Sequence, residues 1–320
     1  MRTEFRDSLE FVFPDTRPGH APGVGSELDV ARGGTAAVHV LVTGAPRGPL
    51  GVGVAEGGKT VRGARWFKLR DVPVEANTGP VIFTETRESG RNSHVIRRAP
   101  FRVYDAMEPV DGACEFGGST GALRLHLPGA PDARPGLRRY TVTVGKAPAL
   151  ELAVRVHGAV LPPSGAASFP YTNWFDVRAM ATRHGLKEWS EAHWSMIRKY
   201  AEVMRHGRQN MFWVPLHCVF RRQRGAPVLD RARLRRYVDT FTRAGLPLIE
   251  GGHVGTRSGG WKAKAFSTVL NGPPAASPAG DRDLRAICAQ LTAEIDRNGW
   301  RGRWTQHVAD EPQPALAADY

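Results

Sequence analysis

The spacing of apolar positions divides the chain near residue 160. Before that point apolar and polar residues alternate in short runs, clearest at 35–42 (TAAVHVLV), 66–74 (WFKLRDVPV), 123–127 (LRLHL), 140–144 (YTVTV) and 150–156 (LELAVRV). A period of two is the pattern of a half-buried strand, whose successive side chains point to opposite faces. Clusters such as Ala45-Pro46-Arg47-Gly48-Pro49 and Pro128-Gly129-Ala130-Pro131 punctuate the runs, and no long helical period intervenes. The pattern predicts an antiparallel two-sheet β-sandwich over residues 1–160. Within it, Asp105 and Glu108 are expected to shape a turn before Pro109.

After 161–165 (LPPSG) strands and helices alternate. Strand candidates are 169–175, 211–216, 246–250 and 304–309, the second with an irregular end because of Pro215. Between them lie three helical periods. Trp194, Ile197, Ala201 and Met204 mark 188–205. Leu234, Tyr237, Val238 and Phe241 mark 230–243, with Asp230 as cap and Gly245 and Pro247 as stop. Leu284, Ile287, Cys288, Leu291 and Ile295 mark the third, ended by Asn298-Gly299. Four successive βα units predict a parallel sheet: the first half of a (β/α)8 TIM barrel over residues 161–320. Half a barrel leaves two open sheet edges. The sequence therefore reads as part of a longer protein, and alone it is expected to aggregate and to lack activity.

Composition adds limits. An apolar share of 41% and a charged share of 23% in 320 residues suit two soluble domains. No apolar run approaches the ~18 residues that span a bilayer. Charges in the first seven residues stand where a signal peptide has its apolar core. A cytoplasmic protein without a membrane partner is expected, with secretion only if the true start lies upstream. The net charge of +13 raises nucleic-acid binding, best supported by Arg221, Arg222, Arg224, Arg231, Arg233, Arg235 and Arg236. The helix over 230–243 puts most of its arginines on a solvated face, and no nucleic-acid motif accompanies them, so no nucleic-acid partner is expected. Cys114, Cys218 and Cys288 are odd in number and widely spaced, as reduced and mostly buried thiols would be. A Cys218–His217 pair is disfavoured because strand neighbours face opposite ways.

Chemistry gathers at the strand ends. In parallel α/β folds that rim carries the functional groups. The four ends hold Asn173 and Trp174, then His217, then Glu250 and His253, then Asp310 and Glu311. Adjacent carboxylates can protonate a leaving oxygen and steady developing positive charge. Trp174 and Trp261, the latter in the long 251–280 loop, offer flat apolar surfaces for sugar rings. A metal site from His217, His253, His307, Asp310 and Glu311 is the competing use. No two of these histidines have a helical ligand spacing, and His307 is expected below the mouth on the strand face of Ala309. No metal or other cofactor is therefore expected.

His307-Val308-Ala309-Asp310-Glu311-Pro312 resembles the strand-four motif of glycoside hydrolase family 123, and more loosely the His-x-Gly-Gly-Asp-Glu motif of family 20 hexosaminidases. The segments 66–74 (WFKLRDVPV), Tyr104-Asp105-Ala106-Met107-Glu108-Pro109 and Thr172-Asn173-Trp174-Phe175 are also similar to family 123-like proteins. The resemblance covers nearly the whole chain and implies a sandwich followed by a (β/α)8 barrel. It implies a carbohydrate substrate, a β-linked N-acetylgalactosaminide, hydrolysed with help from its own 2-acetamido oxygen. By position Asp310 matches the carboxylate that orients the acetamido group and Glu311 the general acid/base. The charge of Asp310 and partial desolvation should keep Glu311 protonated. Asn173, Trp174, His217, Glu250, His253, Trp261 and His307 are the expected substrate contacts. A barrel glycosidase with its nucleophile on a later strand and a non-catalytic carbohydrate-binding protein are the alternatives.

Overall fold

The computed structural model describes residues 1–19, 27–77, 95–257 and 266–310, so Glu311 and Trp261 lie outside the described residues. The chain divides into two compact units, Met1–Pro162 and Pro163–Tyr320. It is a β-rich, multidomain architecture.

The first unit contains β1 (Arg2–Asp7), β2 (Glu27–Arg32), β3 (Thr35–Thr43), β4 (Leu50–Glu56), β5 (Lys59–Thr60), β6 (Arg65–Val74), β7 (Phe101–Val110), β8 (Ala113–Cys114), β9 (Thr120–Pro128), β10 (Gly136–Val144) and β11 (Leu150–Val160). One sheet runs β1-β3-β9-β6-β7, the other β2-β11-β10-β4-β5 with β8 beside β4. The period-two reading holds for the face between the two sheets, whereas β3 is buried on its other face too, at His39 and Leu41. Val38, Val40 and Val42 of β3 and Leu123, Leu125 and Leu127 of β9 share one core with Val142, Val144, Leu152 and Val154. Two details differ from the sequence reading. β2 runs parallel to β11, so the sandwich is not wholly antiparallel. Asp105 and Glu108 lie inside β7 rather than in a turn. The β6–β7 register skips Asp105, because Arg70 faces Ala106 and Asp71 faces Tyr104. Asp105 is thus the extra residue of a β-bulge. Pro109 is tolerated because β7 is the outer strand of its sheet, where a missing N–H breaks no second ladder.

The second unit contains α1 (Val177–Arg183), α2 (Glu191–His206), β12 (Met211–Val214), α3 (Leu216–Val219), β13 (Phe220–Gln223), β14 (Ala226–Leu229), α4 (Arg231–Arg243), β15 (Leu248–Gly251), β16 (Gly255–Arg257), β17 (Phe266–Thr268), α5 (Pro278–Arg297) and β18 (Trp304–Gln306). β12, β15 and β18 form a parallel sheet in that order. The helix ends follow their sequence signals. Ser190, Asp230 and Ser277 each accept a backbone N–H at an N-terminus, and Gly245 and Gly299 take positive φ just beyond the ends of α4 and α5. α4 buries Leu234, Tyr237, Val238 and Phe241. The Phe241 ring stacks on Phe212 of β12 at 4.7 Å between centroids. Full burial of each such side chain stabilises by about 2–3 kcal/mol.

The first expected strand, 169–175, is not a ladder strand. It is an extended segment held by side chains. Asn210 Oδ1 accepts the Tyr171 N–H at 2.7 Å, and Gln209 Oε1 accepts the Asn173 N–H at 3.0 Å. The N–H groups of Asn210 and Met211 both reach Tyr171 O. Side-chain amides occupy places that a neighbouring backbone would fill, and Pro170 has no donor to offer. The strand from 211 stops at Val214, because Pro215 caps the single turn of α3. Two hairpins, β13–β14 and β16–β17, occupy stretches expected to be loops. The first turns at Arg224-Gly225, both at positive φ, as a two-residue hairpin of primed type requires.

Several of the basic residues of this unit are engaged within it, while Arg221 and Arg224 are exposed. Arg231, Arg235 and Arg297 all pair with Glu294, whose side chain is fully buried. Arg233 and Arg236 lie over the rings of Trp189 and Trp194, and Arg222 pairs with Asp283. The three cysteines are free. Cys114 and Cys218 are buried, whereas Cys288 is exposed on α5. His217 and Cys218 sit on the α3 turn rather than on a strand. Burial pushes the Cys218 thiol up to about 11, so it holds no useful thiolate fraction near neutral pH. Among the described residues, no helix is long and apolar enough to cross a membrane.

Candidate functional site

Pairing aligns Trp213, Glu250 and Thr305 across β12, β15 and β18. Their neighbours Phe212 and Ile249 belong to the core beneath the helices. Alternation therefore turns Trp213 and Glu250 to the opposite face of the sheet. There Glu250 becomes a hub. Its Oε2 accepts the Trp174 indole N–H at 2.9 Å, and its Oε1 lies 3.1 Å from His307 Nδ1. Trp174, 43% exposed, stacks on Trp213 with 5.6 Å between centroids and an interplanar angle of 25°. His253 meets Trp174 edge-on at 5.2 Å and His307 at 4.4 Å.

The chain beyond β18 explains why His307 arrives here. The ladder ends at Gln306, one residue earlier than the shared face of His307 and Ala309 requires. His307 then donates its N–H to Gly251 O, and Val308 O accepts the N–H groups of Val254 and Gly255. His307 is thus lifted to Glu250, while Ala309 is buried with Phe266 and Ala275. The expectation that His307 lies below the mouth is corrected. Arg257 fixes the next residues by donating Nη2–H to Asp310 O at 2.7 Å. One donor atom from each of His253, His307 and Asp310 lies within 4.8 Å of the other two.

Two glycines make room for this arrangement. A Cβ on Gly251 would stand 2.3 Å from Gln306 Oε1, and one on Gly252 would stand 2.6 Å from Val214 O. The β15 end must pass this close to its neighbours to deliver His253.

The site residues expected from the sequence thus separate into groups. Trp174, Glu250, His253, His307 and Asp310 come together. His217 lies one step away, 6.1 Å from Trp213 between ring centroids. Asn173 is not brought in: among the described residues its side-chain amide reaches only Tyr171 Oη, at 3.5 Å. Trp213 and Arg257 were missed. Trp213 was legible in principle, because Phe212 and Val214 carry the core face of MFWV and leave it to the other. Arg257 carries no such signal.

Beside the cluster, Trp213, His217 and His253 border a cavity of about 700 Å³ that also takes in Arg178, Arg222 and Asn271. Burial lowers the pKa of His217, reinforced by Arg178 and partly offset by Asp176. Burial likewise lowers that of His253, reinforced by His307 and partly offset by Asp310 and Glu250. Both rings are therefore neutral near pH 7. The cluster offers a flat aromatic surface, a carboxylate already holding two donors, the neutral imidazole of His253, the ring of His307 and the carboxylate of Asp310. That set can grip a polyol ring by stacking and hydrogen bonds.

No family model matches the chain, and no curated protein matches it. Among solved structures it is similar to a family 123 glycoside hydrolase from Clostridium perfringens, described for glycolipid glycan hydrolysis. The TM-score is 0.65 at 10% identity, over 99% of this chain and 60% of that one. The likeness is one of fold. A β-glucosidase from Listeria innocua aligns over 50% of this chain and 16% of its own at 17% identity, but its TM-score of 0.19 carries no argument. The chain spans 60% of the length of the family 123 enzyme.

Proposed function

We propose that the protein is a glycoside hydrolase acting on β-linked 2-acetamido sugars of the N-acetylgalactosaminide type, by substrate-assisted catalysis with retention. Residues 1–160 are read as a sandwich domain and residues 161–320 as the first four βα units of a (β/α)8 barrel, with 169–175 in the first strand position. The observation that carries this reading is the meeting of Trp174, Glu250, His253, His307 and Asp310 at the C-terminal ends of the parallel strands. The fold likeness to a family 123 enzyme supports it.

The sugar ring stacks on the Trp174–Trp213 pair, and its hydroxyls meet the imidazoles and Glu250. Asp310 accepts the acetamido N–H and orients the acetamido oxygen towards the anomeric carbon. That oxygen attacks, the glycosidic bond breaks, and Glu311 delivers a proton to the departing oxygen. The oxazolinium ring that forms is positively charged, and Asp310 steadies it. Glu311, now a carboxylate, takes a proton from water as the water attacks the same carbon. The ring opens and the acetamido group is restored. The two inversions leave the β configuration in place.

The test is release of 4-nitrophenol from aryl 2-acetamido-2-deoxy-β-galactoside and β-glucoside by the protein at its full natural length. Inhibition by a thiazoline mimic of the cyclised intermediate is expected. Insensitivity to the thiazoline, with trapping by a 2-fluoro sugar, would instead place a nucleophile on the enzyme. Glycan binding without turnover across a sugar panel would make the protein a carbohydrate-binding module.

A further inference from the structure

We propose that His253, His307 and Asp310 form a binding site for a divalent transition-metal ion of the zinc type, and that ion and sugar exclude each other. Three features point to it. One donor atom from each residue lies within 4.8 Å of the other two. Donors around a four-coordinate zinc are about 3.4 Å apart, so closing the set needs side-chain movements of no more than about an ångström. His253 Nε2 is buried and has no hydrogen-bond partner among the described residues, a cost that a bound cation would remove. His307 has the outer partner that metal-bound histidines characteristically have. With its Nδ1–H given to Glu250, its lone pair sits on Nε2.

Glu250 is itself held by the Trp174 indole, so the outer partner is fixed in turn. Asp310 is anchored through its backbone carbonyl by Arg257, and its carboxylate accepts no hydrogen bond among the described residues, which leaves it free to turn. Two imidazoles and one carboxylate suit zinc and its neighbours better than magnesium or calcium, which want an all-oxygen shell. The exclusion of sugar rests on the proposed function, because there Asp310 is the acetamido partner and a metal-bound Asp310 cannot serve.

The experiment is calorimetric titration of zinc into the chelator-treated full-length protein. It is repeated for His253→Ala, His307→Ala and Glu250→Gln, with His157→Ala as a control at an exposed histidine paired with Asp29. One equivalent should bind. The two ligand variants should each weaken binding at least about tenfold, and E250Q about 10–100-fold as an outer partner. H157A should change nothing. Absence of binding, or binding unchanged in H253A and H307A, overturns the site.

If a variant fails to fold, zinc-edge X-ray absorption of the unsubstituted protein decides. Two imidazole ligands are expected, and none or one refutes the assignment. The competition is read separately. A bound thiazoline should weaken zinc by the same factor that zinc weakens the thiazoline, and independent binding of the two overturns the exclusion alone. Because calorimetry needs no turnover, a protein without glycosidase activity would disprove the proposed function and leave the metal result standing.

Discussion

Trp174 and His307 are joined through the two oxygens of one carboxylate, Glu250, at 2.9 and 3.1 Å. The indole can only donate, so Oε2 must accept. Glutamine is nearly isosteric but has a single acceptor oxygen. In Glu250→Gln that oxygen stays with Trp174 and the new NH2 faces His307 Nδ1, which must become an acceptor. The imidazole should then carry its proton on Nε2, and 15N NMR should show the change of tautomer. With a charged hydrogen bond lost, kcat/KM for an aryl 2-acetamido glycoside should drop at least about tenfold. An unchanged tautomer would mean that Glu250 does not orient His307.

Asp310 and Glu311 should separate by leaving group. On the proposed mechanism, Glu311→Gln removes the proton donor, which matters most when the departing oxygen is basic. Its activity on a 4-nitrophenyl glycoside should therefore exceed that on a disaccharide, relative to the unsubstituted protein, by about tenfold or more. Asp310→Asn should slow both substrates alike, because the acetamido attack is common to them. Equal losses in E311Q on the two substrates would remove Glu311 from the acid role.

Gly252→Ala drives a methyl group into Val214 O, at 2.6 Å, and against Trp213 Nε1, at 2.8 Å. Overpacking of this kind costs about 2 kcal/mol, or about 4–8 °C in Tm for a domain of this size. The displacement should also separate His253 from Trp174 and reduce turnover. Gly302→Ala meets nothing within 4 Å and is the neutral control. Equal melting of the two variants would show that the close approach is relaxed in solution.

In the sandwich, burial holds His39 down at about 4, helped by the Arg124 charge, and its Nε2 lies 3.2 Å from Arg124 Nη1. The folded pKa lies below the unfolded value of about 6.5, so the unfolded chain binds the proton first. This contribution to stability is complete above pH 6.5 and is lost as pH falls towards 4. At most about 3 kcal/mol is involved. His39→Gln keeps an acceptor for Arg124 and has nothing to titrate. Between pH 7 and 4.5 its Tm should decline less than that of the unsubstituted protein, and parallel declines would refute the linkage.

What the sequence revealed follows from how far each signal reaches. Val38, Val40 and Val42 identify a strand by themselves, and Asp230 identifies a helix start, because period and capping are local properties. Arg224-Gly225 gave only half of a hairpin signal, because arginine stands at positive φ where asparagine, aspartate or glycine would announce the turn. Asp105 looked like part of a turn because Pro109 follows it; only the sheet order shows that Pro109 lies on an outer strand. At the site, Trp174, Glu250 and Asp310 were legible as residues at strand ends. His307 was an expected contact through the resemblance, but its place beside Glu250 was not legible in the period, since it depends on Gly251 O and Val308 O closing the chain after Gln306. Those contacts join residues more than fifty positions apart, where no periodicity reaches.

Asn210 carries a consequence of its own. Its side chain is completely buried, with Nδ2 facing oxygens of Gly165, Ser168 and Phe169 while Oδ1 holds Tyr171. Exchanging its NH2 for an oxygen would alter neither shape nor volume, yet it would confront a ring of acceptors with another acceptor. The segment that delivers Trp174 is therefore fastened by orientation of charge rather than by fit. Replacing this asparagine by aspartate would loosen the segment that leads to Trp174 without removing a single apolar contact.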